Sequence, residues 1–374
     1  MDTSQPLALL AGLSPDQFMK RHWHKKPLLI RQGLPDFQPL LDRKSLLDMA
    51  AQEGVESRLV VRKPQGWTLK HGPFVRTALP PFKQKAWTLL VQGMDLHDEA
   101  VHQWMQQFRF IPDARLDDVM ISFATDGGGV GPHFDSYDVF LVQAHGQRRW
   151  RIGRQKDFQL QDGVPLKILA NFEPEAEYIL NPGDILYLPP LYAHDGDAVG
   201  ECMTYSVGFR APRQGELARE LLMGVAEEAM ESGLDAVYRD PAQTAVSHAA
   251  ALPAALQQFA REAIQQALKD PHLLDCLLGE YLTEPKAQVW FDIGEPFEPH
   301  WPQAVVLDRR TRMLHDAHHV FINGESFKAS GRDARWMKQL ANERHLDARS
   351  VAQFSSGALE LLTDWCDAGW VHTC

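Results

Sequence analysis

Between residues 57 and 209, the chain breaks into short β-prone segments separated by turn residues, and this pattern restricts the fold more than any other feature. The segments are rich in β-branched and aromatic residues and are bounded by Gly, Pro, Asn or Asp. They lie at 57–62, 67–71, 87–92, 117–124, 139–142, 148–153, 185–188 and 201–209. Many short strands with such punctuation predict a mainly β core, built as a sandwich or a barrel.

The pattern changes at Pro212. Apolar residues then recur at four-residue intervals, which is typical of a helix, at Leu217, Leu221, Val225 and Ala229. A second helical stripe at 256–268 has a wide apolar face, which needs a partner surface in the same chain or in a second copy. A Pro- and Gly-bearing stretch at 291–303 precedes a small α+β unit. The predicted domains are therefore 1–212, 213–290 and 291–374.

Composition narrows the class of protein. The 374 residues carry a formal net charge of −11, which disfavours non-specific binding to nucleic acid, so no direct DNA binding is expected. No apolar run is long enough to span a bilayer, and the N-terminus lacks the pattern of a signal peptide. The four cysteines show no C-x-x-C spacing, which favours reduced thiols in a cytoplasmic protein.

The stretch 131–153 contains the first candidate site. His133 and Asp135 are two residues apart, so in an extended strand both side chains point to the same face. A hairpin turn is predicted at 144–147. In the returning strand, Arg148 is in phase with Trp150 and Ile152 and should share their face. The preceding glycine-rich loop, 125–131, lacks the spacing of a dinucleotide or P-loop motif.

A third candidate metal ligand, His194, follows the strand-like segment PGDILYLPP at 182–190. Two imidazoles and one carboxylate form a facial triad, which suits non-haem Fe(II) that must also bind a co-substrate and dioxygen. Zinc is the main competitor, but it prefers four-coordinate sites with more His or Cys ligands. A structural histidine pair in a binding barrel is the alternative. The second His-x-Asp copy, at His345 and Asp347, is interpreted as surface residues.

Several segments together resemble a known family. They are RHWHKKPLLIRQG (21–33), SRLV (57–60), GPHFDSYDVFLVQ (131–143), PGDILYLPPLYAH (182–194) and YSVGFRAP (205–212). They are similar to the JmjC-type Fe(II)- and 2-oxoglutarate-dependent oxygenases, and more narrowly to the bacterial ribosomal oxygenases. The resemblance implies a double-stranded β-helix of the jelly-roll or cupin-like type, a helical dimerisation segment and a winged-helix-like end.

The resemblance also implies the roles of individual residues. His133, Asp135 and His194 correspond to the iron ligands, and Arg148 to the residue that binds the distal carboxylate of 2-oxoglutarate. Its guanidinium offers a bidentate fork that matches a carboxylate. Ser122 shares a strand face with Met120, so its hydroxyl is a further candidate contact for the co-substrate.

A substrate arginine brought near the iron needs an acceptor and a flat apolar wall. Asp118 is the candidate acceptor, and Met120 and Tyr137 are candidates for the wall. Ser206, on the strand after His194, is a weaker candidate. The alternatives are an ordinary charge at the start of a strand for Asp118 and barrel packing for Met120 and Tyr137.

The resemblance implies hydroxylation of an arginine of large-subunit ribosomal protein L-sixteen by a cytoplasmic homodimer. Two alternatives remain open at this point. The same metal centre would serve a histidine hydroxylase or a demethylase of another ribosomal protein. A non-catalytic cupin-like binding module, which recruits a partner through its helical segment and C-terminal unit, is the alternative from another class.

Overall fold

The computed structural model describes residues 2–292 and 303–374. The chain forms two compact units, of which the first comprises Met1–Ala211 and Ala287–Trp290, and the second Pro212–Lys286 and Phe291–Cys374. The division of the second part into a helical segment, 213–290, and a terminal unit, 291–374, stays a prediction. Among the helices of the described ranges, none has the length and apolar character needed to cross a bilayer.

The first unit is mainly β. Its strands are β1 (Leu28–Ile30), β2 (Ser57–Lys63), β3 (Gly66–His71), β4 (Trp87–Val91), β5 (Leu116–Ala124), β6 (Val139–Arg154), β7 (Ala176–Leu180), β8 (Ile185–Leu188) and β9 (Tyr192–Phe209). Its α-helices are α1 (Pro15–Arg21), α2 (Arg43–Ala50), α3 (Met94–His97) and α4 (Glu99–Met105). Short 3-10 helices lie at Ala8–Leu10, Arg76–Ala78 and Gln106–Phe108.

All nine strands belong to one antiparallel sheet. Its order is β1-β8-β6-β9-β5-β4-β2-β3, and β7 pairs with β6 beside this path. The two longest strands, β6 and β9, pair along almost their full length and therefore connect the two ends of the sheet. Strands that are adjacent in the sheet but distant in sequence bring alternate residues of β5, β6 and β9 to one cavity, among them Ser122, Arg148 and His194.

Strand β5 shows the alternation that the sequence predicts. Val119, Ile121 and Phe123 are buried in the main apolar core. Asp118, Met120 and Ser122 point to the opposite face and line the cavity. Successive residues of a strand point to opposite faces, so one strand supplies both a core and a site wall.

The predicted hairpin at 144–147 is wrong. Strand β6 runs without reversal from Val139 to Arg154, and its pairing with β9 shifts register between Gln143 and Gln147. Gly146 has a φ of +61°, and a Cβ there would lie 2.1 Å from the carbonyl oxygen of Glu201. The glycine therefore marks a bulge that bends a long strand, because an inserted residue kinks a ladder without ending it.

Two further expectations about the candidate ligands are wrong in detail. His133 and Asp135 lie in a loop before β6, where only His133 makes an isolated bridge, to His194. The prolines at 189 and 190 predict the end of a strand, with His194 in the loop that follows. Strand β8 does end before them, but the chain re-enters the sheet at once and His194 lies inside β9, opposite Ile152.

Helix α1 begins at a capping box. The Ser14 hydroxyl accepts a hydrogen bond from the Gln17 backbone N–H, and the Gln17 side chain accepts one from the Ser14 N–H. This pairing satisfies two donors that a helix start otherwise leaves free. The helix buries Phe18 against Phe140 and Tyr187, which fixes the segment that follows it beside β8.

The second unit begins with three helices, α5 (Gln214–Glu231), α6 (Ala254–Ala267) and α7 (Leu273–Thr283). Two three-stranded sheets follow, which contain β10 (Val305–Leu307), β11 (Met313–His315), β12 (His319–Ile322), β13 (Glu325–Lys328), β14 (His345–Leu346) and β15 (Val371–Thr373). The last helices are α8 (Gly331–Glu343), α9 (Ala348–Val351) and α10 (Ser356–Asp367). These elements share their own apolar core, which includes Leu340, Leu362 and Trp365.

Helices α5 and α6 cover both predicted helical stripes, but they bury little. Val225 is the buried residue of α5, and α6 has none. Leu222, Met223, Met230 and Ile264 are each more than half exposed. Exposed large apolar side chains that form a contiguous patch typically mark an interaction surface.

Candidate active site

Three side chains that are distant in sequence meet at one point. The ligand atoms of His133, Asp135 and His194 all lie within 4.8 Å of one another. The centroids of the two imidazole rings are 4.2 Å apart, and His194 Nε2 lies 3.7 Å from Asp135 Oδ2. Two imidazoles and a carboxylate facing a common point can hold one metal ion.

Backbone hydrogen bonds hold this arrangement in place. His133 and His194 exchange both of their backbone N–H···O bonds, at 3.0 and 2.8 Å. The Leu191 N–H donates to the Asp135 carbonyl at 2.7 Å. Leu191 has a φ of +62°, a conformation that costs a leucine about 1 kcal/mol. These hydrogen bonds fasten the loop that carries His133 and Asp135 to the chain at Leu191 and at His194.

The orientation of both imidazoles suits metal binding. Nδ1 of His133 lies 2.9 Å from the Gly131 carbonyl, and Nδ1 of His194 lies 3.0 Å from the Tyr192 carbonyl. A carbonyl accepts only, so each Nδ1 carries the proton and each Nε2 is left with its lone pair. Metal-binding histidines are commonly held in this way by a second hydrogen bond.

The surroundings keep His194 neutral. Burial lowers the pKa of His194 to about 4, and the neighbouring His133 imidazole acts in the same direction. At neutral pH no proton therefore competes with a metal ion for its Nε2. The donor set and its open cavity side fit Fe(II), which is bound by two histidines and one carboxylate in facial geometry.

Arg148 lies in the same cavity and has an unusual environment. The residue is 4% exposed, and its Nε is buried without a hydrogen-bond partner. Its nearest contacts are the Cys202 sulfur at 3.5 Å and the Trp150 ring, whose centroid is 5.7 Å from the guanidinium carbon. No carboxylate of the described residues pairs with it. A buried cation without a counter-ion is costly, so this site suits an anionic ligand.

Strand register explains why Arg148 and His194 face the same cavity. In the β6–β9 ladder, Ile152 is opposite His194, and Trp150 is opposite Gly196. Residues that are directly opposite in a ladder point to the same face of the sheet. Arg148 and Ile152 share a face of β6, so Arg148 also shares this face with His194. A Cβ at Gly196 would lie 2.6 Å from the Trp150 ring. The glycine therefore gives the indole its place in the cavity wall.

The cavity has a volume of about 440 Å³ and is lined by every predicted site residue. The Ser122 hydroxyl donates to the Thr204 carbonyl at 3.3 Å. Ser206 lies opposite Met120 in the β5–β9 ladder, and Tyr137 is 37% exposed at the rim. The structure thus brings these residues together, while their individual roles stay predictions.

Sequence reasoning missed several lining residues. Gln92 donates from its side-chain amide to Asp118 Oδ2 at 2.7 Å, and it accepts from Arg58 at 3.1 Å. Lys167 and Thr204 also line the cavity. The sequence could have indicated Thr204, because it is two residues before Ser206 and therefore lies on the same face of the strand. Arg58 and Gln92 lie on β2 and just after β4, and no local pattern connects either position with β5.

The second His-x-Asp copy forms no comparable site. His345 is exposed on the short strand β14. Asp347 accepts a hydrogen bond from the Ser350 backbone N–H at 2.7 Å and so caps helix α9. The prediction of surface residues is correct, but the segment is a strand followed by a helix cap and is not helical throughout.

Two family models match the chain. Residues 103–217 match the JmjC domain, and residues 263–372 match the ROXA-like winged helix. The predicted cupin-like core and winged-helix-like end are therefore confirmed. The second match begins within the predicted helical segment, at a position inside α6.

Known proteins resemble large parts of the chain. The ribosomal protein uL16 3-hydroxylase of Escherichia coli (strain K12) is 36% identical over 335 residues, which cover 86% of this chain and 87% of the relative. A probable ribosomal oxygenase of Haemophilus influenzae is 34% identical over 230 residues, which cover 60% of this chain and 57% of the relative.

Solved structures agree with this relationship. The crystal structure of E. coli YcfD superimposes with a TM-score of 0.83 at 31% identity, and covers 96% of this chain and 98% of its own. A second structure of E. coli YcfD, described as a ribosomal oxygenase, contains cobalt and 2-oxoglutarate. It superimposes with a TM-score of 0.79 at 32% identity, and covers 96% of this chain and 97% of its own. The chain therefore belongs to the family of JmjC-domain ribosomal oxygenases.

Proposed function

We propose that this protein is an Fe(II)- and 2-oxoglutarate-dependent hydroxylase of an arginine side chain in ribosomal protein uL16. The observation that carries the proposal is the cavity in which a His₂Asp cluster faces the same space as a buried arginine that pairs with no carboxylate of the described residues. The name of the E. coli relative supports uL16 as the substrate. Cobalt and 2-oxoglutarate bound to YcfD support the cofactor and the co-substrate.

In this proposal, His133, Asp135 and His194 hold the iron. When bound, Fe(II) together with 2-oxoglutarate supplies the dioxygen-dependent oxidation of a C–H bond. The residues themselves fix the geometry of the ion. The carbonyls of Gly131 and Tyr192 orient the two imidazoles, and the Leu191 N–H fixes the backbone of Asp135.

Arg148 binds the distal carboxylate of 2-oxoglutarate. Its buried Nε and its position against Trp150 leave the guanidinium fork available to a ligand. A bidentate guanidinium–carboxylate pair is strong and directional. Ser122 and Thr204 line the same cavity, and their hydroxyl groups are the further candidates for contacts to this ligand.

Asp118 receives the substrate guanidinium, while Met120 and Tyr137 enclose its flat faces and Ser206 contacts it from β9. Gln92 occupies one carboxylate oxygen of Asp118 and so fixes the rotation of the group. A buried carboxylate favours a cationic arginine over a neutral imidazole, which supports arginine hydroxylation over histidine hydroxylation. The enclosing walls hold the reacting carbon in position and exclude water.

Mass spectrometry tests the proposal. The purified chain is incubated with Fe(II), 2-oxoglutarate and uL16, and the tryptic peptides are then sequenced. We expect one added oxygen atom on an arginine, with succinate formed in equal amount. Oxidation of a histidine, or loss of a methyl group, would replace the arginine assignment with one of the alternative activities. If a titration shows that the chain does not bind Fe(II) in stoichiometric amount, a non-catalytic binding module would be favoured instead.

We also propose a cytoplasmic homodimer that joins through helices α5 and α6, the segment 213–290 being the dimerisation domain. The exposed apolar residues of these helices support it, because a second copy would remove them from water at a gain of about 25 cal/mol per Å². Light scattering at micromolar concentration should give twice the mass of the chain. A monomeric mass would contradict the proposal.

A further inference from the structure

A second feature of the first unit stands apart from the active site. The stretch 17–35 contains five Lys or Arg residues and no Asp or Glu, in a chain whose formal net charge is −11. A further two cations follow at the end of β6. We call basic patch the exposed residues Lys20, Arg21, Lys25, Lys26, Arg154 and Lys156.

The cations of the basic patch have no anionic partners. Within the described ranges, no carboxylate lies within ion-pair distance of any of the six. The Lys25 ammonium group donates to the carbonyls of Met19 and Lys20. These hydrogen bonds cap helix α1 but do not neutralise the charge of Lys25. Arg31, by contrast, pairs with Asp184 at 2.6 Å and is therefore not counted in the patch.

Acidic groups beside the patch are already engaged. The Asp157 carboxylate accepts from Asn171 and from the Gln159 N–H. The Glu175 carboxylate accepts from Tyr192 at 2.7 Å. These neutral donors leave the carboxylates charged, and Asp16 lies one turn before Lys20. The six cations nevertheless outnumber these acidic groups, so the patch has a net positive charge, which attracts a polyanion.

Contacts place the patch beside the active site. Arg154 donates to the Lys25 carbonyl at 3.1 Å, which joins its two halves. Arg154 is opposite Tyr192 in the β6–β9 ladder, two residues before His194. Two strand positions therefore separate Arg154 from the ligand His194, while none of the six cations lines the cavity itself.

The nature of the surface selects among polyanions. The large apolar side chains of the stretch 17–35 are turned inward, as Phe18 and Ile30 are, whereas Phe158 and Leu160 are exposed just beyond Lys156. A membrane-binding helix presents apolar side chains to the lipid, and a protein interface has an apolar or aromatic centre. Nucleic-acid interfaces are polar and strongly positive instead.

We propose that the basic patch binds the phosphodiester backbone of RNA next to the active site. The choice of RNA over DNA rests on the proposed function, since a ribosomal protein is handled close to ribosomal RNA. The contacts are electrostatic and sequence-independent, so the affinity falls steeply with salt. The patch adds RNA binding to a protein whose overall charge disfavours it.

Fluorescence anisotropy of the full-length chain with a labelled single-stranded RNA of about 20 nucleotides tests this inference. Affinity should fall at least about tenfold between low and physiological salt. The variant Lys20→Gln/Arg21→Gln/Lys26→Gln should bind at least about tenfold more weakly than wild type, with a shallower salt dependence, because three phosphate contacts are lost. Lys25 is kept, since its ammonium caps α1.

The matched control is Lys63→Gln/Lys70→Gln/Lys83→Gln. These three exposed lysines lie on or beyond β2 and β3, at the opposite end of the sheet from β1. The control removes the same charge and should bind RNA as wild type does. Single variants at Lys20, Arg21 and Lys26 replace the triple variant if its melting temperature falls.

Two results would overturn the inference. They are equal RNA binding by the two triple variants, and binding of polyglutamate or phosphatidylserine vesicles in preference to RNA. The readout is binding and not hydroxylation. Failure of this inference is therefore distinguishable from failure of the proposed function.

Discussion

The chain uses the same residue types in opposite ways in its two units. In the first unit, His133, Asp135 and Arg148 face a cavity, and the Nε of Arg148 is buried without a partner. In the second unit, Asp347 caps a helix, and Asp308 accepts hydrogen bonds from Arg310 and His372. One region keeps polar groups free for ligands, whereas the other uses them for stability.

This difference has an energetic meaning. A buried charge without a partner lowers stability, and a protein retains it where a ligand supplies the missing charge. A buried charge with several hydrogen bonds contributes to stability and offers nothing to a ligand. Composition and motif do not distinguish the two cases, but removing a side chain does, because the two regions should respond with opposite signs.

Asp135→Ala should give the largest effect. Loss of one metal ligand should reduce 2-oxoglutarate decarboxylation in the presence of uL16 by at least about a thousandfold, because iron is no longer held. The stability of the metal-free protein should barely change. Release of labelled carbon dioxide measures the first quantity, and thermal unfolding the second. Activity retained by this variant would remove Asp135 from the ligand set.

Arg148→Met should weaken 2-oxoglutarate binding by about 100-fold, because the carboxylate loses a buried charged partner. The ligand-free protein should become more stable by about 1 kcal/mol, since an unpaired buried charge is removed. The KM for 2-oxoglutarate and urea unfolding measure these effects.

Arg310→Met is the counterpart in the second unit. It leaves Asp308 buried without its main partner, so it should destabilise the protein by about 3 kcal/mol with no effect on that KM. Equal signs for the two stability changes would break the comparison.

Acid should affect the second unit through Asp308. Burial would raise the pKa of Asp308, but the hydrogen bonds from Arg310 and His372 lower it to about 2, from an ordinary value of 3.8. This stabilisation is therefore complete above about pH 5 and is lost as the pH falls towards 2, by about 2 kcal/mol in total. Calorimetry between these pH values should show it. The Asp308→Asn variant should be less stable at neutral pH and should lack this part of the acid dependence.

Asp347→Ala should give the smallest effect. Loss of the α9 cap should lower the melting temperature by about 3 °C and leave hydroxylation unchanged. Asp347→Asn, which keeps a capping oxygen, should restore most of the loss. Reduced hydroxylation by Asp347→Ala would show that the second His-x-Asp copy has a role beyond capping.

Much of the fold was predictable because periodicity is local. The alternation in β5 and the four-residue stripes of α5 and α6 are properties of neighbouring residues. The buried face of Arg148 followed from the same reasoning. The candidate ligand His194 followed from its position after a strand-like segment, and the resemblance added the roles of the ligands. The structure brings the ligand atoms of His133, Asp135 and His194 within 4.8 Å of one another.

The errors concern long-range pairing. The segment around Gly146 has the residues of a hairpin turn, but β9 pairs across it and makes it a bulge. The sequence predicts His133 and Asp135 in a strand, but they lie in a loop. Their alignment depends on the bridge from His133 to His194 and on the hydrogen bond from Leu191 to Asp135. Arg58 and Gln92 reach Asp118 only because β2, β4 and β5 are neighbours in the sheet.

The sequence by itself determined which segments are strands and helices, where the chain changes from β to α, and which residue types are available for metal and anion binding. These follow from side-chain periodicity and chemistry, which act over a few residues. Only the tertiary structure decided that Asp347 of the second His-x-Asp copy caps a helix, and that the segment around Gly146 bends a strand and does not reverse it. It also decided which arginine is left without a carboxylate, because burial and partners depend on strands that are far apart in sequence.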